Sequence, residues 1–248
     1  MSEIETEAAA PPEAVIEDCP RCGKPETLCV CQDIQPIDNQ IALLVLQHPQ
    51  EQDKALGTAR LAALSFKNAV FKTGLSWPSL AKALGRAADP KHWATLYLGS
   101  ADPALLAPGQ AVVALDAKGK LLPIQEMALA DIEGIIVLDG TWSQAKTLWW
   151  RNAWLLKCKR VVLAPSRPSL YGKLRREPRR EGLSTLEAAG MLLAKLENKP
   201  GIETALLATF TKLLDKYREN PPAARPAETL PGVKALPRRR PPRRYSRS

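Results

Sequence analysis

Four of the five cysteines in this 248-residue chain fall in one stretch, C-P-R-C-G-K-P-E-T-L-C-V-C, as Cys19, Cys22, Cys29 and Cys31. A C-x2-C pair presents two thiolates from one tight turn, and the C-x-C pair that follows completes a four-thiolate set suited to a single zinc ion. Such a site is structural rather than catalytic, because four protein ligands leave no open position on the metal. The gap between the pairs is short, so a small knob on an arm at 17–35 is expected. Cys158 stands alone and reads as a core residue.

A second group is Asp139-Gly140-Thr141-Trp142, which follows directly on the apolar run Ile135–Leu138. The carboxyl end of a buried strand is where ligands bind in open α/β sheets. Thr141-x-x-Gln144 has the form of a capping box, so a helix starts just behind the aspartate, offering N–H donors that favour anionic groups. An aspartate in that place also serves as a plain turn former.

The third group is the loop before Ser184, S-R-P-S-L-Y-G-K-L-R-R-E-P-R-R-E-G-L-S, with Lys173, Arg175, Arg176, Arg179 and Arg180 around Tyr171. That composition suits a phosphate-gripping loop with one stacking ring. A solvated loop is the plainer alternative, but long Pro-punctuated loops are usually functional. His48, in Gln47-His48-Pro49, reads as a cap or turn residue. Trp149, Trp150 and Trp154 are expected against the sheet.

Short apolar runs alternate with helical segments along the chain. Strands are expected at 41–46, 94–98, 111–115, 134–139 and 160–164. Helices are expected over 53–66, after the third strand at 123–132, and from about Ser143. This pattern implies an α/β fold, a parallel sheet covered by helices on both faces. A further helix opens at the capping box Ser184-x-x-Glu187, with Leu183 placed as a hydrophobic staple, and stops at Asn198-Lys199-Pro200-Gly201. The last helix carries Leu206, Phe210, Leu213, Leu214 and Tyr217 on one face.

Charge frames the chain unevenly. Residues 1–18 hold Glu3, Glu5, Glu7, Glu13, Glu17 and Asp18 with no Lys or Arg, whereas 218–248 hold nine basic side chains against Glu219 and Glu228. The net charge of +9 therefore sits on the body and tail, which points to a polyanionic partner or to a surface charged for solubility. Residues 1–16 read as a disordered acidic segment and 219–248 as a disordered basic Pro/Arg-rich tail, on either side of a domain at 38–218. No apolar run approaches the roughly 20 residues of a membrane span, and the first residues lack the order of a signal peptide, so a cytoplasmic protein is expected.

Five segments in one order, CPRCGKPETLCVC, QHPQE, DGTWSQAKTL, RPSLYGKLRREP and EGLSTLEA, make the chain resemble the DTW-domain family over residues 18 to 217. One local departure is Gln52-Asp53-Lys54 after the QHPQE glutamate, where the family often has a basic residue sooner. The resemblance implies a tRNA-uridine aminocarboxypropyltransferase. Such an enzyme uses S-adenosyl-L-methionine, releases methylthioadenosine and, in bacterial members, acts on uridine 47 of the variable loop. It also implies a SPOUT-like domain with a C-terminal trefoil knot, beside a small zinc-binding arm.

On that reading Asp139 accepts the uridine N3 proton or orients the uracil, while Thr141 and Trp142 fix the loop and wall the pocket. Leu138, Thr141, Leu183, Ser184 and Thr185 are expected at the cofactor, whose carboxylate would meet the helix start at Ser184. Tyr171, Lys173, Arg175, Arg176 and Arg179 are expected on the tRNA, and Cys19, Cys22, Cys29 and Cys31 on zinc. A methyltransferase of the same fold and a non-catalytic zinc-bearing RNA-binding protein are the competing readings.

Overall fold

The computed structural model describes residues 18–96, 111–116, 118–164, 167–172, 174 and 182–221. The expected acidic N-terminal segment, nearly all of the basic tail and most of the basic loop lie outside these residues. So does part of the path through 165–181 that bears on a C-terminal knot.

Six strands form one sheet: β1 (Ala42–Gln47), β2 (Ala69–Thr73), β3 (Trp93–Leu96), β4 (Val112–Leu115), β5 (Gly134–Asp139) and β6 (Lys159–Leu163), in the order β2-β1-β5-β3-β6-β4. The helices are α1 (Ala59–Leu64), α2 (Leu80–Leu84), α3 (Gln125–Ala130), α4 (Trp142–Arg151), α5 (Thr185–Leu196) and α6 (Pro200–Glu219).

The central strands β1 and β5 are apolar up to their last residues, Gln47 and Asp139, because both of their faces are covered. Side chains of a strand alternate between faces, and the core divides accordingly. Leu43, Val45, Ile135 and Val137 pack with α1, α5 and α6. Leu44, Leu46, Ile136 and Leu138 pack with Leu80 and Leu84 of α2, Ala145 and Leu148 of α4, and Trp154. Gly134 opens β5 because a Cβ there would lie 2.5 Å from the fully buried ring of Trp93. Cys158 is buried, as its isolation implied.

The sheet departs from the expected parallel pattern at one edge, where β4 runs antiparallel to β6. An apolar run marks burial and not direction, and an antiparallel edge on a parallel sheet is common. The side chain of Gln125 covers that edge, accepting from Ala114 N (2.7 Å) and donating to Ala114 O (2.9 Å). The helix expected over 53–66 is shorter, since residues before Thr58 form turns around Gly57. The cysteine arm is not a separate knob. Leu28, Val30, Cys31 and Ile34 belong to the core beneath α5 and α6. Lys216 of α6 also donates to Cys29 O (2.6 Å), and Lys212 pairs with Asp33 (2.6 Å).

Helix α5 opens with the capping box that its sequence announces: Ser184 Oγ accepts from Glu187 N, and Glu187 accepts from Ser184 N. Gly190 then lets α6 approach, for a Cβ there would stand 3.1 Å from Leu206. The Glu187 carboxylate is fully buried and receives four donors. Arg167 Nη1 (3.1 Å) and Leu170 N (2.9 Å) reach one oxygen, and Ser169 Oγ (2.6 Å) and Ser184 N (2.9 Å) reach the other. Burial pushes its carboxyl up, but these donors outweigh burial and hold it below the usual 4.5.

Glu187→Ala should therefore cost about 3 kcal/mol, as expected when a buried and fully bonded carboxylate is removed. Because the folded carboxyl titrates below its unfolded value, its contribution is present above pH 4.5 and is lost as pH falls through the lower folded value. Denaturant unfolding at pH 7 and at stepwise lower pH measures both. An unchanged midpoint at pH 7 would contradict the role.

Candidate functional site

Parallel strands β1 and β5 end on the same edge of the sheet, and their register sets Gln47 beside Asp139. The chain leaves β1 through α1 toward β2 and leaves β5 through α4 toward β6, on opposite faces and in opposite directions. Such a divergence opens a crevice at the carboxyl ends of the two strands.

Asp139 sits in that crevice with both oxygens engaged. Gln47 Nε2 donates to Oδ2 (3.0 Å) and Thr185 Oγ1 to Oδ1 (2.5 Å). Its backbone carbonyl accepts from His48 N (3.0 Å). A carboxylate has about four acceptor sites, so two remain for a ligand. The aspartate is thus more than a turn former: it is clamped by β1 on one side and α5 on the other.

Thr141 forms the expected capping box, accepting from Gln144 N while Gln144 Oε1 accepts from Thr141 N (2.6 Å). Gly140 leaves room for this turn, since a Cβ there would stand 2.8 Å from Gln144 Cβ. Gln144 Nε2 also reaches Gln50 Oε1 (3.1 Å), which ties D-G-T-W to Q-H-P-Q-E. His48 acts as the cap that its position suggested, Nδ1 accepting from Gln50 N (3.3 Å) ahead of the turn Pro49–Glu51. Trp142 is half-buried on the first turn of α4.

Of the residues expected at a cofactor, Thr141, Ser184 and Thr185 gather around Asp139 or the turn behind it, with Leu183 half-buried next to them. Leu138 turns its side chain into the core under α4, leaving its backbone for that role. At the start of α5, Glu187 N already donates to Ser184 Oγ (3.1 Å) and Leu186 N to Thr58 Oγ1 (3.3 Å). The expected carboxylate cradle there is therefore largely filled from within the chain.

Tyr171 requires a correction. It is 2% exposed, its ring meets Phe210 edge-on at 4.9 Å, and its hydroxyl donates to Leu56 O (2.7 Å). A ring held this way packs the core and cannot stack on a base. Arg167 likewise turns inward to Glu187 and, at 3.7 Å, to Glu203. Lys173, Arg175, Arg176 and Arg179 lie outside the described residues. Among the tryptophans, Trp154 is buried and Trp149 lies against Arg160 (5.1 Å), but Trp150 is 75% exposed and does not pack on the sheet.

Sequence reasoning missed Gln47, Glu51 and Lys24. Gln47 did leave a trace, as the single polar residue ending an apolar run. Glu51, Lys54, Ala55, Leu56, Thr141 and Tyr217 line a cavity of about 330 Å3 next to the D-G-T-W turn. Buried Lys24 donates from Nζ to Ala55 O (2.7 Å), fixing that cavity's floor to the cysteine arm.

In the arm, the four Sγ atoms all lie within 4.8 Å of one another, with Cys19–Cys31 and Cys22–Cys29 each at 3.9 Å. A tetrahedral zinc with bonds of about 2.3 Å sets its sulfurs about 3.8 Å apart, so the group fits the metal. Burial pushes the Cys22 thiol up to about 11 and raises Cys31 as well. A bound cation reverses that preference, since a coordinating thiol is deprotonated outright.

A family model described as the DTW domain matches residues 16–218. Over 198 residues the chain is 29% identical to tRNA-uridine aminocarboxypropyltransferase 2 of Macaca fascicularis, covering 79% of this chain and 62% of that protein. It is 30% identical over 200 residues to the Mus musculus protein of the same name, with the same coverage of 79% and 62%. With the Drosophila melanogaster protein of that name, identity is 29% over 212 residues, covering 82% of this chain and 75% of the relative. The chain thus spans about 62% of the length of the two mammalian relatives. No solved structure matches it.

The sulfur geometry predicts about one zinc per purified chain by elemental analysis. Cys31→Ser should lower that content and the unfolding temperature together, by roughly 5 °C or more, because the arm shares the main core. Metal-free protein with wild-type stability would refute the assignment.

Proposed function

This chain belongs to the DTW domain family, and from that premise we propose that it transfers the 3-amino-3-carboxypropyl group of S-adenosyl-L-methionine to N3 of a tRNA uridine. The products are the modified uridine and methylthioadenosine, and position 47 is the proposed target. The observation that carries this reading is the clamped carboxylate of Asp139 at the crevice between β1 and β5.

Uridine N3 bears a proton and is a poor nucleophile while neutral. Asp139, held by Gln47 and Thr185, accepts the N3–H hydrogen bond with a remaining lone pair and takes the proton as N3 bonds to the carboxypropyl carbon. The bond from that carbon to the sulfonium breaks, and its electron pair stays on sulfur as a thioether. Charge is dispersed in this step, so the enzyme's main contribution is alignment. Thr141 and Trp142 wall the pocket, and the donor lies against the Leu138 backbone, Thr141, Leu183, Ser184 and Thr185. A zinc held by Cys19, Cys22, Cys29 and Cys31 would be structural.

The tRNA would be gripped by Lys173, Arg175, Arg176 and Arg179, with the tail adding attraction. The start of their loop is bolted to the domain through Arg167, Ser169, Leu170 and Tyr171. Among the described residues no helix is long and apolar enough to cross a membrane.

Asp139→Asn should lower transfer at least about a hundredfold, a typical share for a positioned proton acceptor, with donor binding nearly unchanged. Nucleoside mass spectrometry of tRNA from cells with and without the gene tests the reaction. Adenosylhomocysteine as by-product would indicate methyl transfer instead, and wild-type turnover in Asp139→Asn would refute the proposed role.

The two basic regions separate by salt dependence, since removing one cation from a phosphate flattens the slope of log affinity against log salt by roughly 0.7 to 0.9. Replacing Arg175, Arg176 and Arg179 by Ala should flatten it and also lower turnover at saturating tRNA, because that loop is anchored at both ends. Deleting 221–248 should weaken binding while saturated turnover persists. The reverse pattern would exchange their roles.

A further inference from the structure

We propose that Glu51 and Lys54 read the two charges of an α-amino acid group, Glu51 taking the ammonium and Lys54 the carboxylate. On the function proposed above, on which this rests, that group is the aminocarboxypropyl arm of the donor.

Glu51 is 5% exposed, and among the described residues no donor reaches its carboxylate, whose oxygens are not sealed from solvent. A carboxylate that no protein donor occupies keeps its acceptor sites for a ligand. Glu51 is not there by slack in the chain. Its backbone closes the Pro49–Glu51 turn, its N–H bonds to His48 O (3.0 Å), and His48 caps the same turn. Lys24 pins the following loop from beneath at Ala55 O (2.7 Å). A well-anchored loop thus holds Glu51 at the wall of a cavity of about 330 Å3, a volume at the small end of ligand clefts.

The other walls narrow the ligand. Lys54, exposed, lines the same cavity, as does Thr141, while Ala55, Leu56 and the Tyr217 ring supply most of its apolar surface. A single carboxylate with a lysine on the same lining does not suit a divalent metal, which needs several oxygen ligands. It does suit a small zwitterion, whose ammonium and carboxylate complement the pair while its methylenes meet the apolar wall. Thr141 lines this cavity and also stands two residues from Asp139, so a group seated here lies beside the D-G-T-W turn.

Calorimetric titration of the full chain with S-adenosyl-L-methionine and with methylthioadenosine, which lacks the amino acid, tests the inference. Glu51→Gln should weaken S-adenosyl-L-methionine roughly tenfold to a hundredfold, the share of a charge-assisted hydrogen bond, and leave methylthioadenosine unchanged. The variant should also melt no lower than wild type, because among the described residues no hydrogen bond of the Glu51 side chain is lost, whereas a purely structural glutamate would lower melting. Glu51→Asp keeps the charge and should recover part of the difference between the ligands. Equal weakening of both ligands, or of neither, overturns the inference while the donor reading stands. Wild-type protein that binds methylthioadenosine but not S-adenosyl-L-methionine overturns the donor reading and this inference together.

Discussion

Asp139 joins three elements that the chain brings together from far apart. Its oxygens accept from Gln47 at the end of β1 and from Thr185 at the start of α5, and its own strand is β5. This is possible because β1 and β5 are parallel neighbours and therefore end on one edge. Neither strand could sit at the centre of the sheet unless both of its faces were covered, which fixes α1, α5 and α6 on one side and α2 and α4 on the other. The same burial excludes water from the root of the crevice, where a hydrogen bond to a carboxylate is stronger than at the surface. Fold and site therefore share one constraint, the pairing of two apolar strands.

The cysteine arm extends that constraint to the front of the site. A zinc held by four thiolates would carry a net charge of about −2. Cationic side chains already bond around the cluster: Arg21 Nη1 to Cys31 O (3.2 Å), Lys216 Nζ to Cys29 O (2.6 Å) and Lys24 to the 54–55 carbonyls. Lys24 works in both directions, placing a positive charge against the sulfurs and holding the loop that follows Glu51. The arm is thus attached at the floor of the cavity as well as to α6, so disturbing the cysteines displaces more than the arm.

Much of this was legible because it is written in local patterns. Five of the six strands stand out as short apolar runs, both capping boxes form as spelled, and the cysteine spacing matches a cluster that closes on itself. What escaped was set by partners distant in sequence. Edge strand β2 is half-exposed and carries Lys72 outward, so it makes no apolar run. The direction of β4 depends on its route to β6 and not on its own residues. Tyr171 looked like a stacking ring because its neighbours are basic, but Phe210 and Leu56, far along the chain in opposite directions, claim it for the core. Gln47 and Thr185 acquire their meaning only when Asp139 lies between them.

Two buried glutamates show how structure and function divide the same chemistry. Glu187 is wrapped by four donors, so its charge stabilises the junction of α5 with the loop at 167–170. Glu51 is 5% exposed and has, among the described residues, none, its oxygens keeping contact with solvent. A natural sequence that satisfies one carboxylate so fully has the means to satisfy the other, for Ser, Arg and backbone donors are as available to one loop as to the next. A capped turn, a lysine anchor and the Tyr171 hydroxyl on Leu56 O all hold the loop that carries Glu51. A loop so held cannot relax to bring Glu51 a partner of its own, and the carboxylate stays open to whatever enters the cavity.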